Sequence, residues 1–287
     1  MTMKRLSFIL SVMVLGLLTA LDAAGQAQVY TRKEKLKDFT AKTTKVVLSG
    51  EEFLDEALKE SVASTWTLSP YEFCTNEEFQ KLKTSDNFYF LIVASSRQKK
   101  EEEPGLDMLT LVKGGEGASK SIDGMLEVVS FPFRAARFPS GREFTLLPAF
   151  LHIIQDHVST LADTEMKAYS NLSAKDTKKL NTKRIYFWEE DLSKQVGSHV
   201  RESLDEDIII EEDDEDVDKV FDAGEVNTVV SYVVAPDVPV DGSVCYKMLI
   251  GSDTLELYYF KKHKITSKNG KGFLASDLKA IKSIRKR

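Results

Sequence analysis

The sequence predicts an α/β protein built from two tandem copies of one β-α-β-α-β-β-β-α unit, each a mixed sheet with helices packed on it. Two runs carry this prediction: "NFYFLIVAS" at 87–95 and "NTVVSYVVA" at 227–235 are both typical of buried strands. Elements of the same type follow in the same order around each run, and matching strands lie about 140 residues apart. This spacing indicates an internal duplication. We therefore expect the two units to superpose, with Phe88–Ala94 on Thr228–Val234.

Residues 44–163 are predicted to form the first unit, after a polar lead-in at 28–43. Its elements are a strand at 44–50, a helix at 51–65, an extended run at 66–75, a helix at 76–85 with Asn76 as N-cap, strands at 87–95, 106–114 and 124–133, and a helix at 146–163. Leu147, Ile154 and Leu161 lie on one stripe of the last helix, so this helix is expected to pack on the sheet.

Residues 183–287 are predicted to form the second unit, after a polar, lysine-rich linker at 164–182. Its elements are a strand at 183–188, a helix pattern at 189–203, a strand at 205–213, a short helix at 214–224, a strand at 227–236, two strands within 243–266 around the turn "GSD", and a helix at 272–287. In both units the βαβαβ opening implies two right-handed crossovers, which place the first strand near the centre of the sheet.

Residues 1–27 are predicted to be a signal peptide. Lys4 and Arg5 precede the apolar run "LSFILSVMVLGLLTA", and Gly25 and Ala27 suit the small-residue positions of a cleavage site. An uncleaved anchor is the alternative, but the apolar run is short for a membrane span. We expect an exported chain, periplasmic or secreted, with no transmembrane span after cleavage.

The net charge limits the class of partner, and the cysteine positions bear on disulfide formation. Loss of Lys4, Arg5 and Asp22 with the signal peptide changes the net charge from −6 to −7. An acidic chain repels phosphate backbones, so nucleic acid is not an expected partner. Cys74 and Cys245 lie in different units, and buried free thiols are favoured over a disulfide.

Large aromatic residues at strand ends usually pack under a neighbouring helix. Trp66 opens the second predicted strand of the first unit, and Trp188 ends the first strand of the second unit. We expect both side chains to be largely buried.

The element order, a Trp or acidic cluster near the second strand, and the closing helix "LLPAFLHIIQDHVSTL" resemble the amino-terminal domain of the periplasmic TolB family. They are also similar to the α/β modules of curli-secretion and flagellar-assembly lipoproteins. The resemblance covers nearly all of the mature chain, once per unit. The chain departs from these families because it has no propeller repeat and no lipid-attachment Cys. The resemblance implies a non-catalytic envelope module that docks other proteins.

No HExxH, GxSxG or GxxxxGK[ST] motif is present, so no catalytic residue, metal or cofactor is expected. His152 and His157 lie about 140° apart around a helix, too far to share a metal. "NGKGFL" opens a helix, and Gly270, Lys271 and Gly272 form a candidate anion site. A simple turn into the helix is the favoured interpretation of that stretch.

A dense acidic tract runs from Glu202 to Asp218. Within it, the candidate docking surface consists of Glu211, Glu212, Asp213, Asp214, Glu215 and Asp216. The tract is typical of a solvated edge strand followed by a helix N-terminus, which favours acids. A calcium site would be expected to have a glycine turn and a terminal Glu, which are missing here.

The remaining interpretation is a docking surface for a basic partner, either another envelope protein or a second copy of the chain. The basic segments at 261–264 and 279–287 could meet the acids within the fold or in a neighbouring subunit.

Three classes of function follow from these observations. The first is a non-enzymatic envelope interaction or assembly module. The second is an enzyme, and the third a carrier of a small ligand or calcium; both would have their site in a cleft between the halves. Convergent ionisable groups in such a cleft would favour the enzyme, and an apolar pocket would favour the carrier. Two filled cores with no cleft would favour the interaction module.

Overall fold

The computed structural model describes residues 36–119, 124–163, 172–174 and 176–285. It contains two five-stranded mixed sheets, each packed with helices, which confirms the predicted fold class. The predicted signal peptide at 1–27 lies outside the described residues, as do parts of the lead-in and of the linker. In the part of the chain that the structure describes, no helix combines the length and apolar character needed to cross a membrane.

The first half, residues 44–163, forms sheet 1. Its elements are β1 (Thr43–Val47), α1 (Glu52–Thr65), β2 (Tyr71–Cys74), α2 (Asn76–Leu82), β3 (Phe88–Ser96), β4 (Leu106–Lys113), β5 (Leu126–Ala135) and α3 (Arg142–Asp163). The strand order is β2-β1-β3-β4-β5. Strand β1 is parallel to β2 and β3, whereas β4 and β5 continue the sheet in antiparallel fashion.

The second half, described at 183–285, forms sheet 2. Its elements are β6 (Arg184–Trp188), α4 (Ser198–Glu202), β7 (Ile208–Glu211), α5 (Asp214–Asp222), β8 (Thr228–Val234), β9 (Val244–Gly251), β10 (Leu257–Lys264) and α6 (Ala275–Arg285). The strand order is β7-β6-β8-β9-β10, the order of sheet 1 repeated five strands later. The parallel and antiparallel pairings repeat as well.

The pairing registers agree with the proposed equivalence of the halves. Phe88 pairs with Thr43 at the start of one parallel ladder, and Thr228 pairs with Arg184 at the start of the other. A different strand order in the two sheets would have contradicted a duplication, and the orders are the same. Superposition of the halves and their origin by duplication stay predictions.

The predicted helix at 189–203 is wrong for most of its length. Glu189–Asp191 form a single 3-10 turn, and only Ser198–Glu202 are α-helical. Between them the Ser193 N–H donates to the Phe273 carbonyl at 2.9 Å, and the Phe273 N–H donates to the Asp191 carbonyl at 2.7 Å. Pairing with a segment about 80 residues away therefore takes the backbone groups that a helix would have used.

Two predicted helix starts also differ from the structure. Thr75, not Asn76, caps α2, because its hydroxyl accepts from the Glu78 N–H while the Glu78 carboxylate accepts from the Thr75 N–H. Helix α3 begins at Arg142, four residues before the predicted start, and Pro148 lies inside it.

Helix α3 is layered between the two sheets and belongs to both cores. The centroid of the Phe150 ring lies 4.8 Å from that of Phe131 and 6.1 Å from that of Phe133 in sheet 1. It lies 5.2 Å from the ring centroid of Tyr232 in sheet 2. The Tyr232 hydroxyl donates to the Phe133 carbonyl at 2.7 Å. One continuous apolar core therefore fills the space between the halves, where a cleft was expected under the enzyme and carrier hypotheses.

The ends of the lead-in and of the linker are part of the folded body. Leu36 and Phe39 are buried in the first half, where Asp38 accepts from the Tyr89 hydroxyl at 2.8 Å. Leu180, near the end of the predicted linker, is buried in the core of the second half. Apolar side chains within these polar stretches thus extend both halves toward their N-terminal ends.

The burial of the cysteines and tryptophans was also predicted. Cys74 and Cys245 are both free and buried. Trp66 is 4% exposed, as predicted, and its indole N–H donates to the Ser69 hydroxyl at 3.1 Å. Trp188 packs against the same core but is less enclosed than Trp66, since its exposure is intermediate.

Candidate interaction surface

The acidic tract lies at an edge of sheet 2. Glu211 ends the edge strand β7, and Asp214 begins α5. The side chains of Glu212, Asp213, Glu215 and Asp216 are exposed, and those of Glu211 and Asp214 are partly exposed. Asp213 is the N-cap residue, but its side chain makes no capping hydrogen bond. This placement agrees with a solvated edge and a helix N-terminus whose dipole favours acids.

The described residues of the chain's own basic segments do not cover the candidate docking surface. Residues 261–264 lie on β10, at the opposite edge of sheet 2. Arg285, from the other basic segment, pairs with Asp207 at 2.7 Å and with Asp205 at 3.7 Å, which are earlier acids of the tract. Glu215 and Asp216 pair with Lys219 of their own helix, at 3.8 and 2.8 Å.

Arg142 ties the first half to the second from the start of α3. Its Nε donates to Asp218 Oδ1 at 2.8 Å, and its Nη1 donates to Asp191 Oδ2 at 3.3 Å. Its Nη2 donates to the Ser231 carbonyl at 3.2 Å. All three acceptors belong to the second half, and the guanidinium is buried. Arg142 is therefore a clamp across the junction of the halves.

The partners of Arg142 are satisfied inside the protein. The Ser231 hydroxyl donates to Asp191 Oδ2 at 2.6 Å. Burial raises the pKa values of Asp191 and Asp218, and the neighbouring Arg142 charge opposes both shifts. The Arg142 guanidinium also lies 5.5 Å from the Trp188 ring, which adds a cation–π contact. A buried, internally paired group of this kind joins elements of the two halves.

A negatively charged hollow of about 290 Å³ lies between the start of α3 and α5. It is lined by Ser140, Gly141, Arg142 and Thr145 on one side and by Asp214, Glu215, Asp218, Lys219 and Asp222 on the other. Four carboxylates therefore face two basic groups, one of which is the buried clamp. Two members of the candidate docking surface, Asp214 and Glu215, line this acidic hollow.

A second groove of about 370 Å³, lined by both apolar and charged residues, adjoins the loop 136–141; we call it the apolar groove after its exposed Phe138 and Val238 side chains. Its walls come from this loop, from the β3–β4 loop at 97–105 and from the β8–β9 loop at 235–243, so both halves contribute. Phe138 is 73% exposed and Val238 is 79% exposed. We call the acidic hollow and the apolar groove together the junction surface, because the loop 136–141 lines both.

The sequence did not predict the groove. Its apolar members come from three loops that are distant in the chain, and hydrophobic periodicity does not report on loops. The one local signal is Phe138 itself, an aromatic residue in the turn-forming stretch "RFPSG".

The candidate anion site is not open in the structure. The Gly270 N–H donates to Gln195 Oε1 at 3.0 Å, and the Gly272 N–H donates to the Cys245 sulfur at 3.3 Å. Gly272 has φ +98°, and a Cβ there would lie 2.6 Å from the Asp191 carbonyl oxygen. These glycines serve a tight turn into α6, and Lys271 is exposed beside it.

The two histidines border a small hollow of about 30 Å³ at the side of α3. His157 is buried and His152 is partly buried. Among the described residues, no group of three or more His, Cys, Asp or Glu side chains is placed to hold a metal ion.

A second buried polar group lies within the core of the second half. The Lys247 ammonium pairs with Asp277, and the Tyr259 hydroxyl donates to Asp277 Oδ1 at 2.7 Å. The Leu274 N–H donates to the other Asp277 oxygen at 2.9 Å. Burial raises the pKa of the nearby Cys245 thiol to about 11, so this thiol is not a reactive nucleophile at neutral pH.

Comparison with protein-family models finds no match to this chain. Comparisons with curated proteins and with solved structures also find no match.

Proposed function

We propose that this chain is an exported, non-enzymatic interaction module of the cell envelope that acts by docking another protein. The observation that carries the proposal is the junction surface, where exposed apolar side chains in a groove adjoin an acidic hollow. A contiguous apolar surface with a polar rim is typical of protein–protein contact sites.

The rigidity of the junction supports this proposal. Helix α3 is buried between both sheets, and the Arg142 clamp links it to three groups of the second half. A surface carried on such a body is ordered before the partner arrives. Docking then costs less conformational entropy than it would on a mobile loop region.

The envelope location rests on the predicted signal peptide and on the resemblance to the TolB amino-terminal domain. We expect the exported protein to begin near Gln28. Mass spectrometry of the protein recovered from the envelope fraction tests this expectation. An intact N-terminus at Met1 would contradict it.

The charge of the surface indicates a basic partner. The test is a pull-down from envelope extracts with the mature chain as bait, repeated at rising salt concentration. We expect a specific partner whose binding weakens as salt rises, since salt screens exposed charges. Neutralisation of Asp213, Asp214, Glu215 and Asp216 to Asn or Gln should abolish the capture.

The matched control neutralises four carboxylates of the first half, with Glu60→Gln, Glu77→Gln, Asp86→Asn and Glu116→Gln. This control should capture the partner as the unmodified chain does. Equal loss in both variants would show that only net charge matters, and no salt-sensitive partner at all would refute the docking function.

Calcium binding by the acidic tract makes a different prediction. An ion that binds only the folded state raises the melting temperature by mass action. We expect no calcium effect at constant ionic strength, because the described acids form no metal-binding cluster. A calcium-dependent rise of several degrees would favour the calcium hypothesis over docking.

A further inference from the structure

We propose that the apolar groove receives a cationic segment of the partner protein, which inserts an apolar side chain against Phe138 and places a Lys or Arg beside Glu102 and Asp237. This inference rests on the proposed docking function and deepens it, because it names the chemistry of the partner. It concerns a part of the surface that the acidic tract does not include.

The apolar part of the occupant follows from Phe138. This residue is 73% exposed and has φ +48°, a left-handed conformation that is rare for a bulky side chain. Val238, also 79% exposed, lines the same groove. Removing both side chains from water would favour binding, because the hydrophobic contribution grows with the apolar area buried. A volume of about 370 Å³ accommodates an apolar side chain with its flanking backbone.

The groove carries more acidic than basic groups. Its charged lining consists of Glu101, Glu102, Glu103, Asp237, Lys100 and Arg137. Both bases already have acidic partners, since Lys100 pairs with Asp241 at 2.8 Å and Arg137 pairs with Glu103 at 3.3 Å. An anionic occupant would find no uncommitted base among these side chains.

Two carboxylates remain to meet a cation. Glu101 is engaged, because it accepts from the Ser243 hydroxyl at 2.6 Å and from the Gln98 N–H at 2.8 Å. The side chains of Glu102 and Asp237 have no hydrogen-bond or ion-pair partner among the residues that the structure describes. The groove is therefore complementary to a positively charged segment.

The groove is preformed by contacts between its walls. The Lys100–Asp241 ion pair and the Glu101–Ser243 hydrogen bond both join the β3–β4 loop to the β8–β9 loop. The Pro236 ring lies so close to the Gly105 backbone that a Cβ at Gly105 would be 2.7 Å from Pro236 Cγ. Only glycine permits this approach without a shift of one wall.

The experiment uses the purified chain and a displayed library of random twelve-residue peptides. We expect the selected peptides to combine Lys or Arg with a neighbouring large apolar residue. Affinities of the enriched peptides are then measured by fluorescence anisotropy. Phe138→Ser should weaken binding by about tenfold or more, the loss expected from one buried aromatic anchor. Glu102→Gln with Asp237→Asn should weaken binding and reduce its salt dependence.

The matched control is Phe53→Ser, which removes another exposed phenylalanine, 83% exposed and located on α1. It should leave the affinity unchanged. Phe138→Gly serves as a second variant, because glycine adopts positive φ freely and removes the same ring. Melting curves verify that each variant is folded.

Three results would overturn the proposal: no enriched peptide family, enrichment of acidic or uncharged peptides, or equal affinities of Phe138→Ser and the unmodified chain. The envelope pull-down separates this failure from failure of the docking function. A partner that is lost on neutralisation of the acidic tract but still binds Phe138→Ser would retain the function and reject the groove.

Discussion

The two halves share a strand order but fill equivalent core positions with different chemistry. Val93 pairs with Leu109 in sheet 1, and Val233 pairs with Lys247 in sheet 2. When Phe88 is placed on Thr228, Leu109 and Lys247 therefore occupy equivalent positions. Leu109 is buried among apolar residues, whereas Lys247 is buried in an ion pair with Asp277. The same topology thus accepts an apolar or an ionic interior, provided that every buried polar group is paired.

The closing helices of the halves differ as well. Helix α3 is buried toward both sheets, with Leu147, Phe150 and Ile154 among its buried residues. Helix α6 buries one stripe through Leu278 and Ile281 and leaves Lys279 exposed. The first half therefore supplies a helix to the second, and the halves are not independent domains. The predictions below test this comparison, starting with the largest expected effect.

Arg142→Met tests the dependence of the halves on each other. It leaves Asp191 and Asp218 without their buried counter-charge, so we expect a loss at the upper end of about 3–5 kcal/mol in unfolding free energy. Trp66 reports on the first half and Trp188 on the second, and Trp→Phe variants that keep one tryptophan, with an aromatic ring retained at the other position, allow each half to be followed by fluorescence. We expect coincident transitions in the parent and separated transitions in Arg142→Met.

The control for the clamp is Arg137→Met, because Arg137 is an exposed arginine in the same loop region. Arg137→Met should change the unfolding free energy by no more than about 0.5 kcal/mol, as for other surface substitutions. A similar small effect of Arg142→Met would show that the halves are held by apolar packing alone.

The two tryptophans provide a second comparison between the halves. Trp66→Ala removes a fully packed indole and should cost roughly 3–5 kcal/mol. Trp188→Ala should cost less, about 1–2 kcal/mol, because the ring is partly exposed and its N–H bonds only the Glu212 carbonyl at 3.2 Å. Chemical denaturation measures both. A near-neutral Trp66→Ala would contradict its burial.

Lys247→Met places an apolar side chain in the second half at the position equivalent to Leu109 of the first half. It leaves the buried Asp277 carboxylate unpaired, and we expect a loss of about 3 kcal/mol. The double variant Lys247→Met, Asp277→Asn should recover most of this loss, since no charge then remains. A double variant as unstable as the sum of its single variants would show that the ion pair is not a coupled unit.

Glu143→Gln has the smallest expected effect, and its sign differs from the others. Glu143 is buried at the start of α3, where one oxygen accepts from the Gly141 N–H and the other has no hydrogen-bond partner in the described chain. Burial raises the pKa of this carboxyl above its ordinary value. Because the folded-state pKa exceeds the unfolded one, its contribution makes stability fall as pH rises between the two values.

The glutamine variant should remove this pH dependence and gain about 1 kcal/mol at neutral pH, the order expected for relieving one buried, incompletely bonded charge. Asp277 provides the opposite case. Burial alone would raise its pKa, but the contacts with Lys247, the Leu274 N–H and Tyr259 lower it. Its stabilisation is present above the unfolded pKa and is lost as pH falls through the lowered folded pKa. Equal profiles of stability against pH for Glu143→Gln and the parent would contradict the raised pKa of Glu143.

Local sequence was sufficient to predict the ten strands that the structure describes and the two-sheet fold class. Most strands are runs rich in β-branched or aromatic residues bounded by turn residues, and such runs carry their own signal. The helix at 189–203 failed because its apolar spacing at Leu192 and Val196 also suits a segment that pairs with the backbone near Phe273. Periodicity reports that a residue is buried and does not identify the element that covers it.

The sequence alone therefore determined the element order, the strand positions and the exposed acidic tract, since these depend on neighbours along the chain. Tertiary structure decided that α3 would fill the space between the sheets, that Arg142 would join the halves and that Phe138 would border a groove. Each of these features brings together residues about 35 to 140 positions apart. Their contact energies depend on how the two sheets pack, and that packing leaves no periodic mark in the sequence.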